Sequence, residues 1–180
     1  MSTKPTLPIH DMEQRHAGLT KAIADSYTEA ASVCLDRHHE PPTDFDIETR
    51  GSGTTATVEW EPPSARARRA WANETDATEA GAYACALAAV ELMHGLVAVH
   101  RAETLTGADY YVARPGDPSD DLEACQRLEV SGVDRGLRGV LETRLRAKLD
   151  QAAAGRSNLP AMAGVVGFRA SLVMLAELER

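Results

Sequence analysis

The chain has 180 residues, of which 43% are hydrophobic and 26% charged, a composition that excludes general disorder and supplies the apolar material for one domain with a substantial core. No apolar run approaches the roughly 20 residues a bilayer crossing needs, and the opening Met1-Ser2-Thr3-Lys4-Pro5 lacks the apolar stretch of a secretory signal, so the expectation is a cytoplasmic protein with no membrane partner. A net charge of -8, from 19 basic against 27 acidic residues, opposes whole-surface binding to nucleic acid or anionic lipid and leaves only a local basic patch for such contact. Cys34, Cys85 and Cys125 are too few and too scattered for a disulfide framework or a CxxC metal site, which predicts reduced thiols.

Residues 1–10 are polar and carry Pro5 and Pro8, predicting a flexible tail. Asp11 with Gln14 three residues on predicts a capped helix start. Leu19, Ile23, Tyr27, Ala31 and Cys34 then recur at helical spacing until Pro41-Pro42 stops the helix. Phe45 and Ile47 alternate with acidic residues, and Thr54, Ala56, Val58 and Trp60 alternate with polar ones. The joining Arg50-Gly51-Ser52-Gly53 completes a predicted hairpin. A basic segment follows with Arg66, Arg68 and Arg69. An alanine-rich helix is predicted from about Asp76 to His94, with Asp76 and Glu79 spaced as a capping box.

Three strands are predicted next, over Leu96–Thr104, Ala108–Arg114 and Cys125–Gly132. A long helix from Asp134 to Ala154 shows Leu137, Leu141, Leu145 and Leu149 at four-residue intervals, with Gly155 and Pro160 at its exit. Residues 163–178 are apolar, and periodicity leaves open a strand plus a helix or two strands. The fold class is α+β or α/β: one compact domain with a mixed sheet of five to six strands flanked by helices. Residues 11–75 form an N-terminal helix and hairpin built onto a core over 76–180.

From residue 76 the order reads helix, strand, strand, strand, helix, strand. Asp109 stands in Gly107-Ala108-Asp109-Tyr110-Tyr111-Val112, and Glu129-Val130-Ser131 lies on the third strand. With these residues the order resembles the PD-(D/E)XK nuclease-like superfamily and its restriction-endonuclease-like core. That resemblance implies an acidic residue near the second strand (Asp109), an (Asp/Glu)-X-Lys triplet on the third (Glu129 to Ser131) and a glutamate on the first core helix (Glu79). It also implies Mg²⁺ held by Asp109, Glu129 and Glu79 against a phosphodiester, where a divalent ion stabilises charge on phosphorus and acidifies an attacking water.

The triplet departs from the pattern, because Ser131 stands where the family has lysine and a serine supplies no cation. The chain holds three lysines, Lys4, Lys21 and Lys148, and only Lys148 lies in the core segment, on the leucine stripe of the second core helix with Arg144 beside it. Either cation would substitute for the missing lysine; equally, both would snorkel past the leucines into water. Structural alternatives stand beside the others too. Glu79 would complete the capping box, Asp109 would be a turn aspartate, and Glu129 would pair with Arg127, Arg101 or Lys148.

The missing lysine, the negative charge and the short chain favour a degenerate nuclease-like domain that acts as a binding or assembly subunit in a defence or DNA-processing system. It would recognise a protein partner or a second copy of itself, with the apolar Phe168–Leu175 stretch as a contributor. The alternative is a Mg²⁺-dependent phosphodiesterase with Glu129, Asp109, Lys148 and Glu79 in its site. Between Asp134 and Arg156, six cations face three anions, so nucleic acid, if bound, would meet Arg138, Arg144, Arg146 and Lys148. Adjacent His38 and His39 match no zinc spacing. Tyr110-Tyr111, Trp60 and Trp71 are predicted as core rather than base-stacking residues.

Overall fold

Alternation of apolar and polar side chains builds the hairpin as expected. β1 (Thr43–Thr49) and β2 (Ser52–Val58) pair antiparallel, with Phe45, Ile47, Ala56 and Val58 fully buried on one face. Gly51 supplies the left-handed backbone of the turn, at φ 77°. The structure, a computed structural model, describes residues 3–117 and 121–179. Its other strands are β3 (Val97–Arg101), β4 (Tyr110–Ala113), β5 (Gln126–Val133), β6 (Ala161–Gly167) and β7 (Leu172–Glu177). Its helices are α1 (Lys21–Asp36), α2 (Ala65–Ala70), α3 (Glu74–His94) and α4 (Arg138–Ala154).

All seven strands form one mixed sheet in the order β2-β1-β7-β6-β5-β4-β3. β1 runs parallel to β7 and β5 parallel to β6, and every other neighbour is antiparallel. The hairpin therefore extends the core sheet, which has seven strands rather than five or six. Residues 163–178 resolve into β6 and β7, joined by a turn in which Ser171 takes φ 52°.

α3 is apolar nearly all round because it lies between two layers. A Cβ on its Gly81 would meet Ala31 of α1 at 3.0 Å, and a Cβ on Gly132 of β5 would meet the Thr78 carbonyl of α3 at 2.5 Å. Small residues at these two points are what let both layers approach. α4 covers the opposite face, where Leu141 packs with Val133, Val165 and Leu172.

Several local expectations give way to tertiary contacts. Residues 1–10 contain no loose run over 5–9: Leu7 donates to the Thr57 carbonyl at 2.8 Å, and Leu7 and Ile9 are fully buried against the hairpin. Asp11 begins only a 3-10 turn, Met12–Gln14, and caps nothing with its side chain; α1 begins ten residues later under Thr20, whose hydroxyl accepts from Ile23 N at 3.3 Å. Asn73, not Asp76, caps α3, accepting from Thr75 N and Asp76 N. α4 starts at Arg138, which leaves Leu137 outside the helix and 60% exposed. Phe168, Leu172, Val173 and Leu175 are buried in a central strand and its turn, whereas Arg169 is exposed and Met174 half-buried.

One buried group couples the fold to pH. His16 is fully buried, and its Nδ1 accepts from Ala98 N at 2.9 Å. Nε2 must then carry the ring proton, which it donates to Glu91 Oε2 at 2.9 Å; Arg15 Nε holds the other oxygen at 2.7 Å. Burial lowers the ring's pKa below its ordinary 6.5, against the raising effect of Glu91. The unfolded chain then takes up a proton that the native ring refuses, so stability present at neutral pH is lost as pH falls below 6.5. Urea unfolding across that range should show this slope in the wild type and a shallower one in His16→Gln; identical slopes would assign the effect elsewhere.

Candidate functional site

The site arises because β4 is too short to cover β5. β5 pairs with β6 from Arg127 to Val133, whereas β4 reaches only Gln126 to Leu128. Beyond Leu128 one edge of β5 is free of a strand partner, and Asp109 fills the start of this notch. Its amide donates to the Leu128 carbonyl at 2.8 Å, and its Oδ2 accepts from Val130 N at 2.7 Å, standing in for a backbone acceptor. Oδ1 accepts from the Tyr83 hydroxyl of α3 at 2.9 Å and lies 3.8 Å from Arg101 Nη2.

Alternation along β5 turns Arg127, Glu129 and Ser131 toward α4. Glu129 is 4% exposed. Lys148 Nζ donates to its Oε1 at 2.6 Å and to Gln151 Oε1 at 3.3 Å. Burial raises the Glu129 carboxyl above the usual carboxylate value; the Asp109 charge pushes the same way, and Lys148 and Arg101 oppose both. Asp109 takes its side-chain partner from α3 and Glu129 from α4.

Ser131 Oγ accepts from Arg144 Nη1 at 3.3 Å. Of the partners foreseen for Glu129, Lys148 is the one that bonds it, while Arg127 turns to backbone carbonyls.

Glu79 is exposed and lines a groove of about 460 Å³ with Thr78, Ser131, Asp134, Arg144 and Lys148. It does not join Asp109 and Glu129: among the described residues no three His, Cys, Asp or Glu side chains gather as a metal-holding group. Tyr83 escaped sequence reasoning. Its signal was position, since it lies one helical turn after Glu79 on the same face of α3.

The proposed nucleic-acid cations are mostly engaged with neighbours. Arg138 forms a two-point pair with Glu48 at 2.8 and 2.5 Å, Arg144 reaches Ser131 and Lys148 reaches Glu129, while Arg146 is exposed. Arg68 pairs with Asp36 at 2.8 Å. Tyr110, Tyr111 and Trp60 are buried, as predicted, and do not offer faces to bases.

The three cysteines are free and buried. Burial pushes the Cys34 thiol up to about 12 and raises Cys85 and Cys125 as well, which suits inert packing and not nucleophilic attack. His38 and His39 diverge, one to Asp134 Oδ1 at 3.0 Å and the other to the Phe168 carbonyl at 2.7 Å. Among the described residues, no helix is long and apolar enough to cross a membrane. No family model, no curated protein and no solved structure matches the chain.

Proposed function

We propose that the notch is a Mg²⁺-dependent phosphodiester-cleaving site acting on nucleic acid. The observation that carries this reading is the 2.6 Å contact between Lys148 Nζ and Glu129 Oε1. The absence of a triplet lysine is the main argument for a degenerate domain, and Lys148 supplies that cation from α4 instead. The order of elements after residue 74, with β3, β4 and β5 antiparallel and β5 parallel to β6, agrees with a nuclease-like core.

The donor set suits a hard divalent cation. Glu129 Oε2 accepts no hydrogen bond among the described residues, and each Asp109 oxygen keeps a second lone pair beyond the bond it accepts. Asp109 and Glu129 would hold the ion, which when bound supplies charge stabilisation on phosphorus and a more acidic water. Tyr83 and Val130 N fix the Asp109 carboxylate, and Lys148 favours the ionised form of Glu129 against the burial that opposes it.

A second reading, the binding or assembly subunit, is favoured by the same contact taken as a closed ion pair, together with the hydrogen bonds to Asp109. Both Asp109 oxygens are already hydrogen-bonded and Glu129 is closed against Lys148, an arrangement that is also stable without a ligand. Incubation of the purified chain with plasmid and oligonucleotides in Mg²⁺ or Mn²⁺ separates the two. The phosphodiesterase reading expects cleavage that falls at least a hundredfold in Glu129→Ala and Asp109→Ala while circular dichroism stays native. No cleavage by the wild type under any of these conditions would favour the subunit.

A further inference from the structure

Arg101 is the second cation near the carboxylates, and it is held in an unusual way. It ends β3 and pairs across the strands with Tyr110. Its Cζ lies 4.8 Å from the centre of the Tyr83 ring and 4.7 Å from that of Tyr110. Tyr110 is fixed in turn by a 2.6 Å hydrogen bond between its hydroxyl and that of Tyr27. Two aromatic faces therefore orient the guanidinium.

The guanidinium N–H donors turn toward tyrosine hydroxyls and Asp109, and no carboxylate closes a two-point pair with them among the described residues. Nη2 donates to the Tyr83 hydroxyl at 3.2 Å and stands 3.8 Å from Asp109 Oδ1. Tyr110 is a second hydroxyl within hydrogen-bonding influence of the guanidinium, and the side chain is 49% exposed. An arginine placed only to neutralise Asp109 would close a two-point pair, as Arg138 does with Glu48. Arg101 instead holds a planar fork, pre-oriented and half open to solvent, 3.8 Å from Asp109 Oδ1.

We propose that Arg101 is a phosphate-binding residue whose fork takes the non-bridging oxygens of a nucleic-acid backbone. It acts from the α3 side of the notch, while Lys148 acts from α4. The identity of the ligand rests on the phosphodiester reading above. Tyr83 links the two functions, because its ring carries Arg101 and its hydroxyl holds Asp109, so one residue sets the spacing between the bound phosphate and the carboxylates.

The test is the affinity of a fluorescently labelled duplex oligonucleotide for wild type, Arg101→Gln and Arg101→Lys in Ca²⁺, measured over a range of salt, with Mg²⁺ cleavage assayed in parallel. Arg101→Gln should weaken Kd about tenfold through loss of a charge-assisted contact and lower the salt slope by about 1, a readout that a merely structural arginine would leave unchanged. Arg101→Lys keeps the charge but not the planar fork, and should recover part of the affinity. This variant also serves if the glutamine substitution unfolds the chain: unaltered Kd in Arg101→Lys together with an unaltered melting temperature would then count against the fork.

Unchanged Kd and slope in a folded Arg101→Gln overturn the assignment even if the wild type cleaves. Binding that depends on Arg101 without any cleavage upholds the assignment and removes the phosphodiesterase reading. A wild type that neither binds nor cleaves overturns both.

Discussion

Replacement of Lys148 by methionine should cost about 3 kcal/mol of stability at neutral pH, because it leaves the Glu129 carboxylate buried without its partner. Glu129 is 4% exposed and its carboxyl is already raised by burial and by Asp109. Removal of the opposing ammonium would raise it further. The sign of the pH dependence follows. An acid with a folded-state pKa above its unfolded value ionises first in the unfolded chain, so the native state loses stability as pH rises through the ordinary 4.5. The variant and the wild type should therefore differ little near pH 4 and diverge toward neutrality. Glu129→Gln combined with Lys148→Met should recover most of the loss, since no charge is then stranded. Denaturant midpoints at the two pH values decide the matter; a deficit of equal size at both would show that packing, and not charge, is what Lys148 contributes.

A comparable loss is expected at Arg127, for a reason unrelated to chemistry in the notch. Arg127 is 3% exposed and, among the described residues, pairs with no carboxylate. Its Nη1 donates to the Thr106 and Ala152 carbonyls at 3.2 and 3.1 Å, and Nε and Nη2 both donate to the Leu159 carbonyl. Ala152 lies in the last turn of α4, where carbonyls lack amide donors, so the guanidinium caps that helix from the side of the sheet and meets its negative end.

Gly155 leaves room for this: a Cβ there would stand 2.8 Å from Nη1. Arg127→Met should lose about 3 kcal/mol, as buried acceptors go unmet. The end of α4 should fray with it. Urea unfolding and amide exchange over the last turn of α4 measure both effects, and a variant within experimental error of wild type in each would show that water replaces the guanidinium freely.

The parts of the fold legible in the sequence are those governed by local rules. Strict alternation about Gly51 fixes the hairpin and its register, since a pleated strand must send successive side chains to opposite faces. The leucines of α4, the alanines of α3 and the three strands between them follow from periodicity and turn residues. At the site, Asp109 and Glu129 stand out because a carboxylate amid apolar strand residues needs a partner. Lys148 stands out because the core segment contains no other lysine.

What the sequence could not determine depends on which segments meet. Leu7 and Ile9 read as part of a polar tail because their partner, the edge of β2, lies some fifty residues away. Asp11 and Asp76 have the spacing of caps, yet Thr20 and Asn73 cap the helices, because cap choice among several competent residues is settled by where packing lets the helix begin. The apolar stretch over 163–178 suits helix and strand alike by its own pattern, and pairing with β5 and β1 makes it two central strands.

The tyrosine bracket around Arg101 shows the same division. No spacing joins Tyr83, Arg101 and Tyr110, which belong to a helix and two strands, and only the approach of α3 to the end of β4 stacks them. By itself the sequence determined the elements, because hydrophobic period and turn chemistry act over a few residues. The tertiary structure alone decided the notch, because a free strand edge exists only once its short neighbour has been laid beside it.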